Sequence, residues 1–387
     1  MKSIKQFLTL VTLLCGATIL YILVSSTKNR DAIIQPVTIH HAFTEDIREV
    51  KSNGTVLGER EDINQQVPIK YNFSLQDLHR HFAFSTDSPI DVLVFIHIQK
   101  TGGTTFGKNL VTNLDVRNPC QCTKPINTKL RCPCFASDGK RQWLFSRYST
   151  GWMCGLHADL TEWTECLRTS KPDQVENLHR QRRYLLLTTL RDPIERYISE
   201  YMHTNRGATW SGMTLKCNGR SATAQEVPLC FNESWEGVRL LEFLSCPYNL
   251  ANNRQTRMLA NLSLVDCYDN FASHSWNKDL ILESAKNNLR NLAFFALKEF
   301  SNESQYLFEH TFNLRFKQPL SVLRPKTIHE TRDYFDMLKP TVQQQIRDNN
   351  DLDIQLYDYA KQLFFARYNF TKSWNSKLKF NDGQSSM

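Results

Sequence analysis

Glycine and proline are scarce in this chain, 14 and 13 of 387 residues, which excludes a collagen-like, repetitive or linker-dominated protein. Internal repeats and low-complexity tracts are missing too. Long apolar runs are absent after the first thirty residues, so the chain is not a multi-span membrane protein. What is present, 41% hydrophobic, 22% charged and 11% aromatic residues, is enough to build a substantial core in one large domain or two ordinary ones. The excess of one charge sign is small. With 47 Lys plus Arg against 39 Asp plus Glu, the formal charge of +8 gives a mild attraction to polyanions and does not choose among them.

The N-terminus sets the compartment. Lys2 and Lys5 precede an uncharged run, Phe7 to Thr27, long enough to span as a helix of roughly 20 residues. That length favours a retained single transmembrane anchor over a cleaved signal, and Val24, Ser25 and Ser26 make a poor cleavage site. Cys15 lies within the run, leaving ten cysteines beyond it, an even number suited to disulfides in an oxidising lumen. Cys120-Gln-Cys122 and Cys132-Pro-Cys134 space their thiols by one residue, closer than paired zinc ligands usually stand. Sequons at Asn53, Asn72, Asn232, Asn261, Asn302 and Asn369 all follow the anchor, which largely removes nucleic acid as a partner. The expected layout is a cytoplasmic tail 1–6, an anchor 7–27, a luminal stem 28–84, a globular domain 85–372 and a polar, frayed tail 373–387. For Tyr71 to Phe84 the alternative is a poorly patterned part of the globular domain.

Two strand-to-helix junctions carry the chemistry. Ile90 to Ile98, IDVLVFIHI, reads as a buried parallel strand and stops at Gln99-Lys100-Thr101-Gly102-Gly103-Thr104-Thr105, ahead of a helical Phe106 to Leu114. Two glycines, the free amides of a helix start and a lysine suit a phosphate. The lysine precedes the glycines, so this is not a Walker loop. An ordinary Gly-rich turn is the bland alternative. The second junction runs from Tyr184 to Leu190, YLLLTTL, into Arg191-Asp192-Pro193 and a helix that places Ser199 and His203 on one face. Arg191 can pair bidentately with phosphate, although alone it would read as a structural ion pair.

The first junction resembles the 5′-phosphosulfate loop of sulfotransferases, and the second their 3′-phosphate site. Longer segments, FIHIQKTGGTTFGKNL, WLFSRYSTGWMCGLHADLTEW, TLRDPIERYISEY, RGATW, CPYNLANNRQTRMLANLSLV and NDLDIQLYDYAKQLF, resemble the heparan-sulfate 6-O-sulfotransferases in that order, from about Phe95 to Phe365. The resemblance implies an α/β fold: a central parallel sheet flanked by helices, the P-loop-like fold of the sulfotransferases that depend on 3′-phosphoadenosine 5′-phosphosulfate (PAPS). It implies PAPS as sulfuryl donor, the glucosamine 6-hydroxyl of heparan sulfate as acceptor, a Golgi type II topology and no required metal.

By the same resemblance, His157 is the catalytic base and Lys100 the cation that stabilises the leaving oxygen. His97, Ile98, Gln99, Lys100, Thr101, Gly102, Gly103, Thr104 and Thr105 hold the 5′ end of the nucleotide, and Arg191 and Ser199 its 3′-phosphate. Ser321, Val322, Leu323 and Thr327 cover it, in a loop that departs from the family pattern. Arg131, Arg147, Trp152, His157, His203 and Trp210 fall to the acceptor, and Lys129 stands in for the second basic residue that the family has where this chain has Leu130. Without the resemblance His157 would read as a structural histidine and Arg131 as a solvated charge.

The basic run His179 to Arg183 reads as the solvated end of a strand, and Leu352, Leu356, Tyr359 and Leu363 as a packed helical stripe. Two rivals remain. A luminal glycosyltransferase would use a metal at Asp-x-Asp, but Asp351-Leu352-Asp353 sits in a helical pattern that leaves both carboxylates solvated. A heparan-binding protein without catalysis would need the basic groove alone.

Overall fold

The computed structural model describes residues 70–124, 130–169, 182–207, 212–232, 234–269, 277–320 and 330–384, with side chains as far as Ser376. In chain order the elements are α1 (Leu75–Leu78), β1 (Asp91–Ile96), α2 (Gly103–Thr112), β2 (Leu114–Asp115), β3 (Leu144–Phe145) and α3 (Leu160–Thr169). Next come β4 (Arg183–Leu190), α4 (Pro193–Thr204), β5 (Lys216–Cys217), β6 (Arg220–Ser221), α5 (Leu240–Ser245) and α6 (Arg254–Leu259). A 3₁₀ turn at Leu262–Val265 leads to α7 (Lys278–Asn291), β7 (Phe294–Leu297), α8 (Ser301–Phe312), β8 (Arg315–Phe316), α9 (Glu330–Asp336), α10 (Pro340–Asp348) and α11 (Asp351–Gln384).

Among the described residues the central sheet is parallel, in the order β3-β1-β4-β7. The apolar residues of β1 and β7 are buried throughout, as a sheet covered on both faces requires. The expected α/β architecture is therefore present. Because β1 is flanked by β3 and β4, the chain reverses direction across the sheet there, and the crevice beyond the carboxyl ends of β1 and β4 is where such sheets bind ligands.

On one side of the sheet Phe106, Phe294, Phe308 and Phe312 pack edge to face and stacked. On the other, Val92, Val94, Ile96 and Phe145 meet Leu160 and Trp163 of α3. The stripe Leu352, Leu356, Tyr359 and Leu363 of α11 is buried in the core. Tyr71 meets Tyr359 edge to face at 4.8 Å, and Phe84 is buried, so residues 71–84 belong to the globular body in contact terms. α11 continues beyond Ser373, with Trp374 against His79 and Asn375 donating to Tyr306.

All ten cysteines from Cys120 to Cys267 form disulfides: Cys120–Cys134, Cys122–Cys132, Cys154–Cys166, Cys217–Cys267 and Cys230–Cys246. Arg183 at the start of β4 is held bidentately by buried Asp91 at 2.6 and 2.8 Å. A further expectation is overturned: Asp353 is not solvated. It is fully buried and accepts from the backbone N–H groups of Gln255 and Thr256, capping α6 from outside. No helix among the described residues is long and apolar enough to cross a membrane, and the run expected to do so, 7–27, lies outside them.

Candidate active site

Beyond β1 the chain curls back through His97–Gly102 into α2. Lys100 and Gly102 adopt left-handed backbone, φ 64° and 87°, the conformation in which consecutive amides converge on an anion. Thr101 anchors the curl from below: its buried hydroxyl donates to the Ile98 carbonyl at 2.9 Å and meets the Thr189 hydroxyl of β4 at 2.8 Å. Gly103 has no room for a side chain, since a Cβ there would stand 2.3 Å from Cδ2 of His97. Lys100 is half-buried. Burial lowers its amine below the usual lysine range, and Glu200 pulls the other way.

Arg191 leaves β4 at the same edge and is buried. Its Nη1 donates to the Lys100 carbonyl at 3.3 Å, and its Nη2 to Glu195 at 3.1 Å and Thr331 at 3.0 Å. Its Nε is buried and has no partner among the described residues, a donor suited to a ligand. Asp192 caps α4 through the N–H groups of Ile194 and Glu195, with Pro193 in the first turn as expected. Ser199 is half-buried two turns along, and His203 is exposed in the last turn, where the positive charge of Lys100 depresses its basicity after burial does.

The opposite wall follows β3. Arg147 reaches Thr104 at 3.0 Å, and its guanidinium lies over the rings of Tyr148 and Trp152, 5.0 and 5.5 Å from their centroids. Trp152 stacks on His97 with planes 3° apart and stands 4.4 Å from His157, centroid to centroid. His157 occupies left-handed backbone, φ 52°, uncommon for a residue with a side chain. Its Nδ1 lies 3.0 Å from the His97 carbonyl. A carbonyl only accepts, so Nδ1 carries the hydrogen and Nε2 keeps its lone pair. Burial lowers the pKa of His157 to about 4. The bond to the His97 carbonyl opposes that shift, Arg254 and Arg147 add to it, and Glu200 partly offsets them. His157 is thus neutral at neutral pH.

Local structure explains why the imidazole stays there. Asp159 and Glu162 cap α3 reciprocally, each carboxylate accepting the other's backbone N–H, at 2.9 and 3.2 Å. The Cys154–Cys166 disulfide ties the loop before His157 to the same helix. Arg131, although exposed, comes to this wall: its Nη1 is 2.8 Å from where a Cβ on Gly151 would stand. The Thr123–Arg131 bridge and two disulfides hold its hairpin. Lys129, Trp210, Ser321, Val322, Leu323 and Thr327 lie outside the described residues.

Other functional neighbours were not legible from motifs. Gln255 clamps the backbone of Arg191 from both sides, accepting its N–H and donating to its carbonyl, both at 2.9 Å. Arg254 donates to Gln99 at 2.9 Å and pairs with Glu200 at 2.7 Å, beneath the loop. Glu200 also takes a short bond from Arg196, which faces Asp353 at 3.7 Å, so two cations and two carboxylates neutralise one another in the core.

The sulfotransferase family model matches residues 82–360, a span that holds both junctions and the loop bearing His157. Human heparan-sulfate 6-O-sulfotransferase 3 is 48% identical over 307 residues, 78% of this chain and 63% of that protein. Heparan-sulfate 6-O-sulfotransferase 1 of Cricetulus griseus is 48% identical over 307 residues, covering 78% of this chain and 74% of its own length. The chain belongs to the heparan-sulfate 6-O-sulfotransferases. A third relative in this family, heparan-sulfate 6-O-sulfotransferase 3-B of Danio rerio, is 46% identical over 314 residues, 81% and 73% of the two chains. The chain spans 63% of the length of the human relative, so the match does not extend over all of that family member.

Proposed function

We propose that this sulfotransferase moves a sulfuryl group from PAPS to the 6-hydroxyl of glucosamine in heparan sulfate. The observation that carries the reading is the joint between its two halves: the carbonyl of His97, first residue of the phosphate loop, accepts the Nδ1 hydrogen of His157. One contact registers the loop against the base. The residues at hand fit the donor. Lys100 and the buried, partly unpaired Arg191 supply positive charge, and Gly102 and Gly103 let the backbone close on a phosphate. Ser199 would complete the 3′-phosphate site.

The free Nε2 of His157 takes the proton of the sugar hydroxyl as its oxygen attacks sulfur in line. The sulfur–oxygen bond to 3′,5′-ADP breaks on the far side, and Lys100 stabilises the charge that builds on the departing oxygen. Arg131, Arg147 and His203 would bind acidic groups of the polysaccharide and Trp152 a sugar face. The buried capping role of Asp353 gives the Asp-x-Asp string a structural purpose and takes support from a glycosyltransferase. The five disulfides support a luminal body, held to the Golgi membrane by the run 7–27 behind a short cytoplasmic tail.

The test supplies the protein with sulfur-labelled PAPS and heparin stripped of 6-O-sulfate, then resolves the product disaccharides. Label on the glucosamine 6-position, lost in His157→Ala while heparin affinity stays near wild type, is the expected result. Label at the uronic acid 2-position, or equal transfer by the variant, would overturn the assignment.

A further inference from the structure

Three neighbouring strands of the sheet each lead into a cation at the carboxyl edge: Lys100 beyond β1, Arg191 beyond β4 and Lys298 beyond β7. Leu190 pairs with Leu297 in register, so Arg191 and Lys298 stand side by side, and the Lys298 N–H donates to the Leu190 carbonyl at 2.9 Å. The stem of Lys298 lies over the loop. Its Cγ and Cδ are 3.4 and 3.5 Å from where a Cβ on Gly102 would stand, so it covers the start of α2.

The ammonium of Lys298 is half-buried among Arg191 and Lys100, which repel it, and Glu195 and Glu299, which attract it. Both carboxylates are already engaged. Glu195 accepts from Arg191 at 3.1 Å, and Glu299 accepts from the Asp192 N–H at 3.0 Å and the Tyr357 hydroxyl at 2.6 Å. Among the described residues none forms an ion pair with Lys298. Like charges held together and partly desolvated are costly until an anion joins them. The sheet order also separates Lys298 from the acceptor wall, which follows β3 at the other end.

We infer that Lys298 is a third cationic ligand for the phosphates of the nucleotide donor, acting beside Lys100 and Arg191. The inference rests on the donor reading above and adds a residue that the resemblance did not assign. It has a pH signature. Burial, with Arg191 adding to it, brings the Lys298 amine down to about 8, with Glu299 and Glu195 opposing and Lys100 assisting. Nucleotide affinity should therefore fall as pH rises through that value.

Titration calorimetry of the full chain with 3′,5′-ADP tests it. Lys298→Met should weaken binding by about tenfold, the usual worth of a charge-assisted bond to phosphate. Lys298→Arg should stay near wild type, and heparin affinity should be unchanged in both. Wild-type affinity should decline between pH 7 and 9, and the decline should be smaller in Lys298→Met; the wild-type titration stands without any variant. If Lys298→Met binds 3′,5′-ADP like wild type, or the wild-type curve is flat across that range, the role of Lys298 is refuted and the donor site remains. If the wild-type protein does not bind 3′,5′-ADP at all, the donor reading falls as well.

Discussion

At the scale of single residues, Gly103 and His157 are linked through His97. The His97 ring occupies the space where a Cβ on Gly103 would stand, and its carbonyl fixes the hydrogen on His157. Gly103→Ala must displace a ring stacked between Phe95 and Trp152. Overpacking of this kind costs about 1–3 kcal/mol. We expect a lowered Tm and a kcat loss larger than any change in KM for the polysaccharide, because the proposed base would be misaimed while the side chains proposed to hold acidic groups stay in place. Lys100, Gly102, Gly103 and Arg191 were readable in the sequence because strand, turn and helix start are contiguous there. Lys298 and Gln255 were not. Their partners come from register between strands and from a helix 64 residues away, which no local spacing encodes.

Among elements, α6 is the one that periodicity could not interpret. All six of its residues, RQTRML, are buried, so no apolar stripe distinguishes a face. Its polar side chains are inside because they serve other elements: Arg254 holds Gln99 and Glu200, Gln255 holds Arg191, and Arg257 lies 4.0 Å from Asp159. Its N-terminus is capped by Asp353 of α11, 98 residues on, with a further bond from the Thr256 hydroxyl at 2.8 Å. Asp353→Asn keeps the shape and removes the charge facing Arg196. Breaking a buried pair from one side costs about 3 kcal/mol or more. Thermal unfolding should show a markedly lower Tm, and 3′,5′-ADP affinity should drop as the clamp on Arg191 loosens. Unchanged nucleotide binding would separate α6 from the donor site. The stripe of α11 was legible as packing, whereas the purpose of Asp353 was not, since capping in trans leaves no trace at its own position.

For the whole molecule, the two histidines of the site make stability depend on pH. His157 titrates at about 4 when folded against an ordinary value of 6.5, and burial lowers His97 in the same direction. The unfolded chain therefore takes up protons first, and stability is lost as pH falls from 6.5 towards 4, by on the order of 2 kcal/mol for His157 alone once partial exposure is allowed for. Denaturant midpoints measured at pH 7 and pH 5 should differ in that direction, and His157→Gln should shrink the difference. The strands β1 and β4 were foreseeable from two apolar runs, whereas the parallel sheet they join came from the family resemblance. The pairing of the ten cysteines was open, because spacing leaves many connectivities.

The cap that Asp353 places on α6 also imposes an order on biosynthesis. While the chain is being made, the strand, turn and arginine that would grip a nucleotide emerge long before the aspartate that finally steadies them. A ribosome stalled ahead of residue 351 would leave a polypeptide with every proposed phosphate ligand already translated and the buttress behind Arg191 still missing. The clamp on Arg191 should therefore be complete only when the last helix is in place.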